Sequence, residues 1–492
     1  MIRTTTRSST VALVFLLSAA RASGQAPPPS PIYDAPATAP VPPPPPPTSG
    51  APQDAPPPTP PPAVTPAAVP TPAAAAAAPA APAPGTLTVG EFTLRPVLQA
   101  RFRYEGRVNP YGDGVQLHDQ HFITTRVRVG LDARWRKLRV LAQVQDVRNF
   151  GTYPGSDDGT KLGLHQGFLE VGDAQTYLRL GRQEISYGDE RMIGPLDWQM
   201  AARSFDGLRL HHTRGKLQLD AFGAVLRPQT RYVYTLPATM TQAQVWSKGD
   251  YLATFQASYV ASPDFALDAY VLYRHDSPLD TAPTRDRDIV SPGVRVTGNL
   301  TPTFGYTAEG TIQGGRVYDN AFFAYAASAD LRYTPRSTLR PLFGTGFAYG
   351  SGSANAIGTE KVDGFENFFP TNHKFYGYAD LFNLQNLIDA HVTAQLRPEH
   401  TPVTARLDAY YFAQQQASGL WTNAGGGRLG QNGSADNRSL GSEVDLTFGY
   451  TPIPRLLLTG GYSIFVPMEA AKRLGHDEIQ QWFFVQLGVE TP

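Results

Sequence analysis

The 492-residue chain contains no cysteine, which excludes disulfide staples and zinc-thiolate sites. It lacks an excess of either charge. The 42 basic residues stand against 42 acidic ones, and without a basic block nothing points to nucleic acid. It also lacks an apolar run long enough to cross a bilayer as a helix. Val11 to Ala20 is too short for that. Lying behind Arg3 and Arg7 and ahead of the small residues Ala20, Ala22 and Gly24, it reads as part of a secretory signal peptide over residues 1–24. Large apolar side chains are scarce in the next stretch, 25–89, where positions 26–85 hold 25 prolines. That composition cannot bury a core and reads as a disordered or polyproline II linker in the periplasm. It suits a spacer, or an arm for a periplasmic or cell-wall contact.

What the chain does have is glycine (46), tyrosine (23) and strict alternation. In "TTRVRVGLDARW", Val127, Val129, Leu131, Ala133 and Trp135 alternate with Arg126, Arg128, Gly130, Asp132 and Arg134. Period two is the signature of a strand, whose successive side chains point to opposite faces. Eighteen such segments follow one another, the first over 92–104 and the last over 479–490, with one over 338–350. Their connections alternate between tight turns ("WRKL", "HTRGK", "TPIPR") and long loops (105–120, 185–203, 351–385, 415–437), with one unusually short loop near 316–320. Strands of this length, short turns at one end, long loops at the other and a signal peptide together describe an all-β fold. It is a single transmembrane antiparallel β-barrel of about 18 strands over 90–492, with short periplasmic turns and long extracellular loops. The apolar face then meets outer-membrane lipid, and the charged face lines a water-filled interior unless loops fill it. Trp135, Tyr273, Tyr333, Tyr411 and Phe465 suit the aromatic girdles of such a barrel.

The densest polar segment is 177–212, with Arg179, Arg182, Arg191, Arg203 and Arg209 among Glu184, Asp189, Glu190, Asp197 and Asp206. Guanidinium forks match carboxylates, whether of the protein or of a solute. One reading therefore has these arginines bracing the wall. The other, strongest for Arg126 and Arg128 with Arg179 and Arg182, has them line a constriction that selects anions. A second unusual region, 365–392, gathers aromatics with His373 and Asp380 in the longest loop, as an ordered lid, a stacking platform or plain loop packing would. The Asn/Gly-rich loop 423–437 reads as flexible, and "PGSDDGTK" (154–161) as a turn. Ser204, Asp206, His211 and His212 fall on one strand without the spacing of a triad, so no catalytic residue, metal or cofactor is expected.

Residues 90–492 resemble the alginate export family of bacterial outer-membrane proteins, on "LRLGRQEISYGDERMIGPLDWQMAARSFDGLRL", "FFPTNHKFYGYADLFNLQNL" and, less specifically, "RVRVGLDARW". The resemblance implies a monomeric barrel through which an acidic polysaccharide leaves the periplasm, past lumen arginines and inward-folded loops. It gives Arg182, in Gly-Arg-Gln, and more loosely Arg126 and Arg128, a pore role. Two features depart from the family pattern. Without Arg3, Arg7, Arg21, Asp34 and Asp54 the chain keeps 39 basic and 40 acidic residues, so any anion-attracting field must come from segregating charge by location. The chain also ends in Pro492 rather than an aromatic. From the residues alone, a conduit for anionic polymer, a general or small-acid uptake porin, a hydrolase and a structural barrel all stay open.

Overall fold

The computed structural model describes residues 85–151, 162–236, 241–277, 286–318, 320–354, 364–431 and 436–490, with backbone alone at 231–236 and 241–246. The signal peptide, the linker up to Pro84 and the turn at 154–161 lie outside the described residues. Eighteen strands form the wall. The first six are β1 (Phe92–Val108), β2 (Gln120–Trp135), β3 (Leu138–Gly151), β4 (Gly163–Gly172), β5 (Thr176–Gln183) and β6 (Phe205–Arg214). Next come β7 (Leu217–Arg227), β8 (Asp250–Ser262), β9 (Phe265–Asp276), β10 (Arg287–Asn299), β11 (Phe304–Val317) and β12 (Asn320–Tyr333). The last are β13 (Leu342–Gly350), β14 (Leu387–Leu396), β15 (Val403–Gln414), β16 (Ser439–Ile453), β17 (Leu456–Pro467) and β18 (Gln480–Glu490).

Each strand pairs antiparallel with its neighbours, and β1 also pairs with β18, from Gln99 opposite Glu490 to Val108 opposite Gln481. That seam closes the sheet, so no edge is left with unpaired backbone groups in lipid. Leu87–Val89, inside the segment expected to be linker, folds back on Phe92–Leu94 as a short hairpin. Among the described residues, helix is confined to Asn372–Lys374 and Glu469–Arg473.

The alternation sets the faces as expected. Val127, Val129, Leu131 and Trp135 point outward, while Arg126 (0% exposed), Arg128 and Asp132 point inward. Trp135, Tyr333 and Tyr411 are exposed on the outer face near strand ends, as girdle residues are. Phe465 is not: it is fully buried on the inner face, in ring contact with Tyr111, Phe382 and Trp421. The interior differs from an open aqueous lumen. A core of buried side chains including Ile193, Tyr376, Phe382, Phe412, Trp421 and Phe465 occupies it, contributed by inward strand faces and by loops folded between them. The loop expected to be flexible takes part. Leu420–Thr422 pairs with Arg428–Gln431, and Trp421 and Leu429 are buried.

The tight turns hold an oddity. Arg136, Arg340 and Arg455 adopt φ of 53°, 42° and 76°. Glycine or asparagine occupies that left-handed region at least cost, and an arginine there costs roughly 1–2 kcal/mol.

Candidate functional site

The segment Gln99–Arg107 repeats the pattern of β2. Gln99, Arg101, Arg103, Glu105 and Arg107 all lie at odd positions of β1, and Arg101, Arg103, Glu105 and Arg107 are buried on the inner face. Arg101 stands directly opposite Arg126 on β2, and Gln99 opposite Arg128. Three guanidinium groups are thereby held side by side, an arrangement that needs an anion between them.

The anion comes from the loop 184–204, which joins β5 to β6 and turns into the lumen. Its Asp197 carboxylate accepts from Arg101 at 2.8 Å, Arg126 at 2.9 Å and Arg128 at 3.0 Å. The Asp197 carbonyl also accepts from Arg101 at 2.6 Å. Burial would push this loop carboxyl up, but Arg126, Arg101 and Arg128 outweigh it and hold it well below the usual carboxylate range. Gln99 accepts from Arg126 at 2.8 Å and from Arg128 at 3.1 Å, and Gln145 accepts from Arg128 at 2.6 Å. Even so, the cluster has donors to spare. Arg126 Nε and Arg128 Nη2 are buried and find no acceptor among the described residues. Asp197, by contrast, keeps 32% of its side chain exposed.

Beside the clamp, Trp198 is fully buried. The Arg103 guanidinium lies 4.1 Å from its ring centre, the His373 ring stacks on it at 5.4 Å, and Phe484 of β18 meets it edge-on at 5.2 Å. His373 comes from the long loop between β13 and β14, and its Nδ1 lies 2.5 Å from Asp380. The two loops are laced together. Ile193 and Phe369 form a parallel bridge, Gly194 N–H donates to the Phe369 carbonyl at 2.8 Å, and Thr371 N–H donates to the Glu190 carbonyl at 3.0 Å. Two buried carboxylates of β16 hold the same loop to the wall, Glu443 accepting from Ala379 N–H at 2.7 Å and Asp445 from Tyr378 N–H at 3.1 Å.

A family model described as "Alginate export" matches residues 95–483. The chain belongs to the alginate export family. No curated protein matches by sequence. Among solved structures, Pseudomonas aeruginosa OpdK with vanillate is similar at 11% identity, covering 81% of this chain and 98% of that one with a TM-score of 0.54. OccK11 (OpdR) of the same organism gives 13% identity, coverages of 81% and 96%, and a TM-score of 0.52. The outer membrane protein OprD from that organism gives 12%, 80% and 93%, and 0.50. These likenesses speak to the fold, a closed eighteen-stranded barrel. With the family match, they place the chain in the bacterial outer membrane as a channel rather than an enzyme.

As a member of the alginate export family, the chain distributes its other sequence-predicted site residues in three ways. Some line the inner wall, paired with carboxylates. Arg179 binds Glu170 at 2.5 Å and Arg209 binds Asp220 at 2.7 Å. Others hold the loops. Arg191 reaches Asp330 at 2.8 Å and Asp189 at 3.4 Å, with its guanidinium over Phe375. Arg203 donates to the carbonyls of Gly194, Phe369 and Pro370. Glu184 contacts His165 at 2.7 Å and Arg128 at 3.8 Å, and Glu190 accepts from Ser186 at 3.1 Å.

The third group, Arg182 and Asp206 alone, corrects the sequence reading. Arg182 and Asp206 point outward, exposed and paired with each other at 2.5 Å. Arg182 stands three residues from Arg179 in a period-two strand, an odd spacing that puts the two on opposite faces. His211 faces inward onto Asp220 at 3.1 Å, whereas His212 is exposed near the turn beside Thr176, so the two histidines share no site. The aromatics of 365–392 are packed rather than presented, with Phe365, Tyr376 and Phe382 each at most 1% exposed. Sequence reasoning missed Arg101, Arg103, Trp198 and the role of Asp197. The alternation of 99–107, equal to that of 126–134, was the available signal.

Proposed function

We propose that the chain is a conduit for hydrophilic carboxylate-bearing cargo, with export of an acidic, uronate-type polysaccharide as the leading reading. The observation that carries it is the cluster of Arg101, Arg126 and Arg128 on a single carboxylate, with buried donors left over. On this reading Asp197 occupies the place of a cargo carboxylate while the channel rests. Because it stays partly exposed, an incoming carboxylate can reach the same forks and displace it without leaving the arginines bare. Further along the wall, Arg209–Asp220, Arg179–Glu170 and Arg139–Asp132 offer a succession of guanidinium groups already balanced by acids. Such sites bind weakly enough to pass an anion on. Uptake of a small organic acid is the second reading, since OpdK, which shares the fold, was crystallised with vanillate.

Planar-bilayer recordings test the proposal. The barrel selects anions over cations and is blocked by oligouronates. Arg126→Gln with Arg128→Gln weakens that block by about tenfold or more, since one charged hydrogen bond contributes ~1.5–3 kcal/mol. Unchanged selectivity and block in the double variant would sink the carboxylate reading. Block by small aromatic carboxylates but not by oligouronates would favour uptake.

A further inference from the structure

The charge that balances over the whole chain does not balance between its two ends. The eight tight turns (136–137, 173–175, 215–216, 263–264, 300–303, 334–341, 397–402 and 454–455) carry seven Lys or Arg against three Asp or Glu. The nine connections at the other end (109–119, 152–162, 184–204, 228–249, 277–286, 318–319, 351–386, 415–438 and 468–479) carry 12 basic residues in sequence against 19 acidic. The chain ends bring Glu91 and Glu490 to the turn face and Arg214 flanks it, which leaves that face basic.

Turn chemistry does not explain the basic residues. Two-residue hairpins favour Asn and Gly because these tolerate positive φ. Here Arg136 and Arg455 stand at such positions instead, and Arg340 takes a positive φ in the longer turn 334–341, all on one face of the molecule. Part of the charge is answered locally, by Arg136–Glu91 at 2.5 Å, Lys137–Asp173 at 3.3 Å and Arg340–Glu399 at 3.0 Å. Lys216, Arg336 and Arg455 are exposed and have no carboxylate within ion-pair distance among the described residues. They belong to three turns well separated around the rim, between β6 and β7, β12 and β13, and β16 and β17.

We infer that the periplasmic turns form a basic collar that captures an acidic polymer before it enters the barrel. The inference rests on the reading that the cargo is an exported anionic polymer, and adds the surface that captures it. A positive mouth raises the local concentration and encounter rate of a polyanion by 10-fold or more at low salt. Without 184–204 and 351–386, which turn into the lumen, the outer connections still carry 11 acidic residues against 8 basic, an excess that opposes entry from outside. Multiple exposed arginines and lysines spread around a rim suit a flexible chain with many carboxylates better than one small ion.

The test uses the full barrel inserted in one orientation in a bilayer of zwitterionic lipid, with oligouronate added to either chamber. Block begins about tenfold faster from the turn side at low salt, and the asymmetry fades at 1 M salt, where the screening length falls to ~3 Å. The triple variant Lys216→Gln, Arg336→Gln, Arg455→Asn abolishes the asymmetry while leaving conductance and the rate of unblocking as they were. Its Arg455→Asn change also relieves a left-handed backbone, so folding is not at risk from that site. Equal onset rates from both chambers in the unaltered barrel, or an asymmetry that survives in the triple variant, overturns the collar. If oligouronate blocks from neither side, the cargo reading has failed. The collar is then judged by fluorescence anisotropy of a labelled polyuronate on the detergent-solubilised barrel, where equal binding by the triple variant overturns it. A difference between the two proteins seen only in bilayers containing anionic lipid would assign the collar to headgroups and overturn it as well.

Discussion

Asp197→Ala opens the barrel. With the carboxylate removed, Arg101, Arg126 and Arg128 remain buried side by side with Glu184, 3.8 Å from Arg128, as the one loop carboxylate still near them. To Arg101 and Arg126 the loop then offers only the carbonyls of Asp197, Gln199 and Met200. Breaking a buried ion pair by removing one partner costs roughly 3–5 kcal/mol, because the remaining charge is left uncompensated. The strands do not depend on Asp197 for their hydrogen bonds, so the loop yields rather than the wall. The expected result is a several-fold rise in resting conductance in salt alone, with faster amide exchange across 184–204 and unchanged heat-modifiable mobility of the folded barrel. Unaltered conductance and exchange would mean that Asp197 is ornamental to the closed state.

The same clamp has a definite pH sign. Its carboxyl lies below the ordinary unfolded value of about 3.9, so the stability it contributes is fully present above that pH and is lost as pH falls further toward the folded value. Acidifying from pH 7.5 to 5 therefore leaves the Asp197 clamp itself intact, read as unchanged amide protection across 184–204.

The second large effect is Trp198→Ala. This side chain has no exposed surface and is enclosed by the Arg103 guanidinium, the His373 ring and the edge of Phe484. Truncating a buried tryptophan costs ~3–5 kcal/mol through lost contacts and the cavity left behind. Here that loss falls on the joint between the two inward loops and the wall. Hydrogen exchange shows it as lost protection in both 184–204 and 364–386, since the loops share backbone hydrogen bonds at Gly194–Phe369 and Glu190–Thr371. Trp198→Phe keeps an aromatic face and restores most of the protection. Loss confined to the first loop would show that the two are not coupled through this residue.

The wall was legible in the sequence because its information is local. Period two and the short-long rhythm of connections place all eighteen strands. The boundaries differ most, by four residues, at the end of β1, expected at 104 and observed at Val108, and before β13, expected from 338 and observed from Leu342. Pro335 and Pro341 bracket the stretch that drops out of the sheet, and neither can donate to a ladder. The lumen was legible only where the same period reached it, as at Arg126 and Arg128. Arg182 faces outward because its parity in the strand, three residues from Arg179, decides its face and the Gly-Arg-Gln motif does not. The clamp itself is not local: Asp197 meets arginines 69, 71 and 96 positions away. No pattern within a loop announces which distant wall residues it will find.

That distance bears on how the barrel is made. Arg101 and Arg103 belong to the first strand and Phe484 to the last, the two that meet only when the sheet closes. Trp198 touches both, so the loop between β5 and β6 bridges the seam from inside. During assembly this loop has its arginine partners early, but Trp198 must wait 175 residues for His373 and 286 for Phe484, long-range contacts of the kind that form slowly. Burial of Trp198 is then among the last events of folding, and it binds together the one joint whose strands are not consecutive in the chain. The residues that keep the lumen closed thus also rivet the cylinder shut.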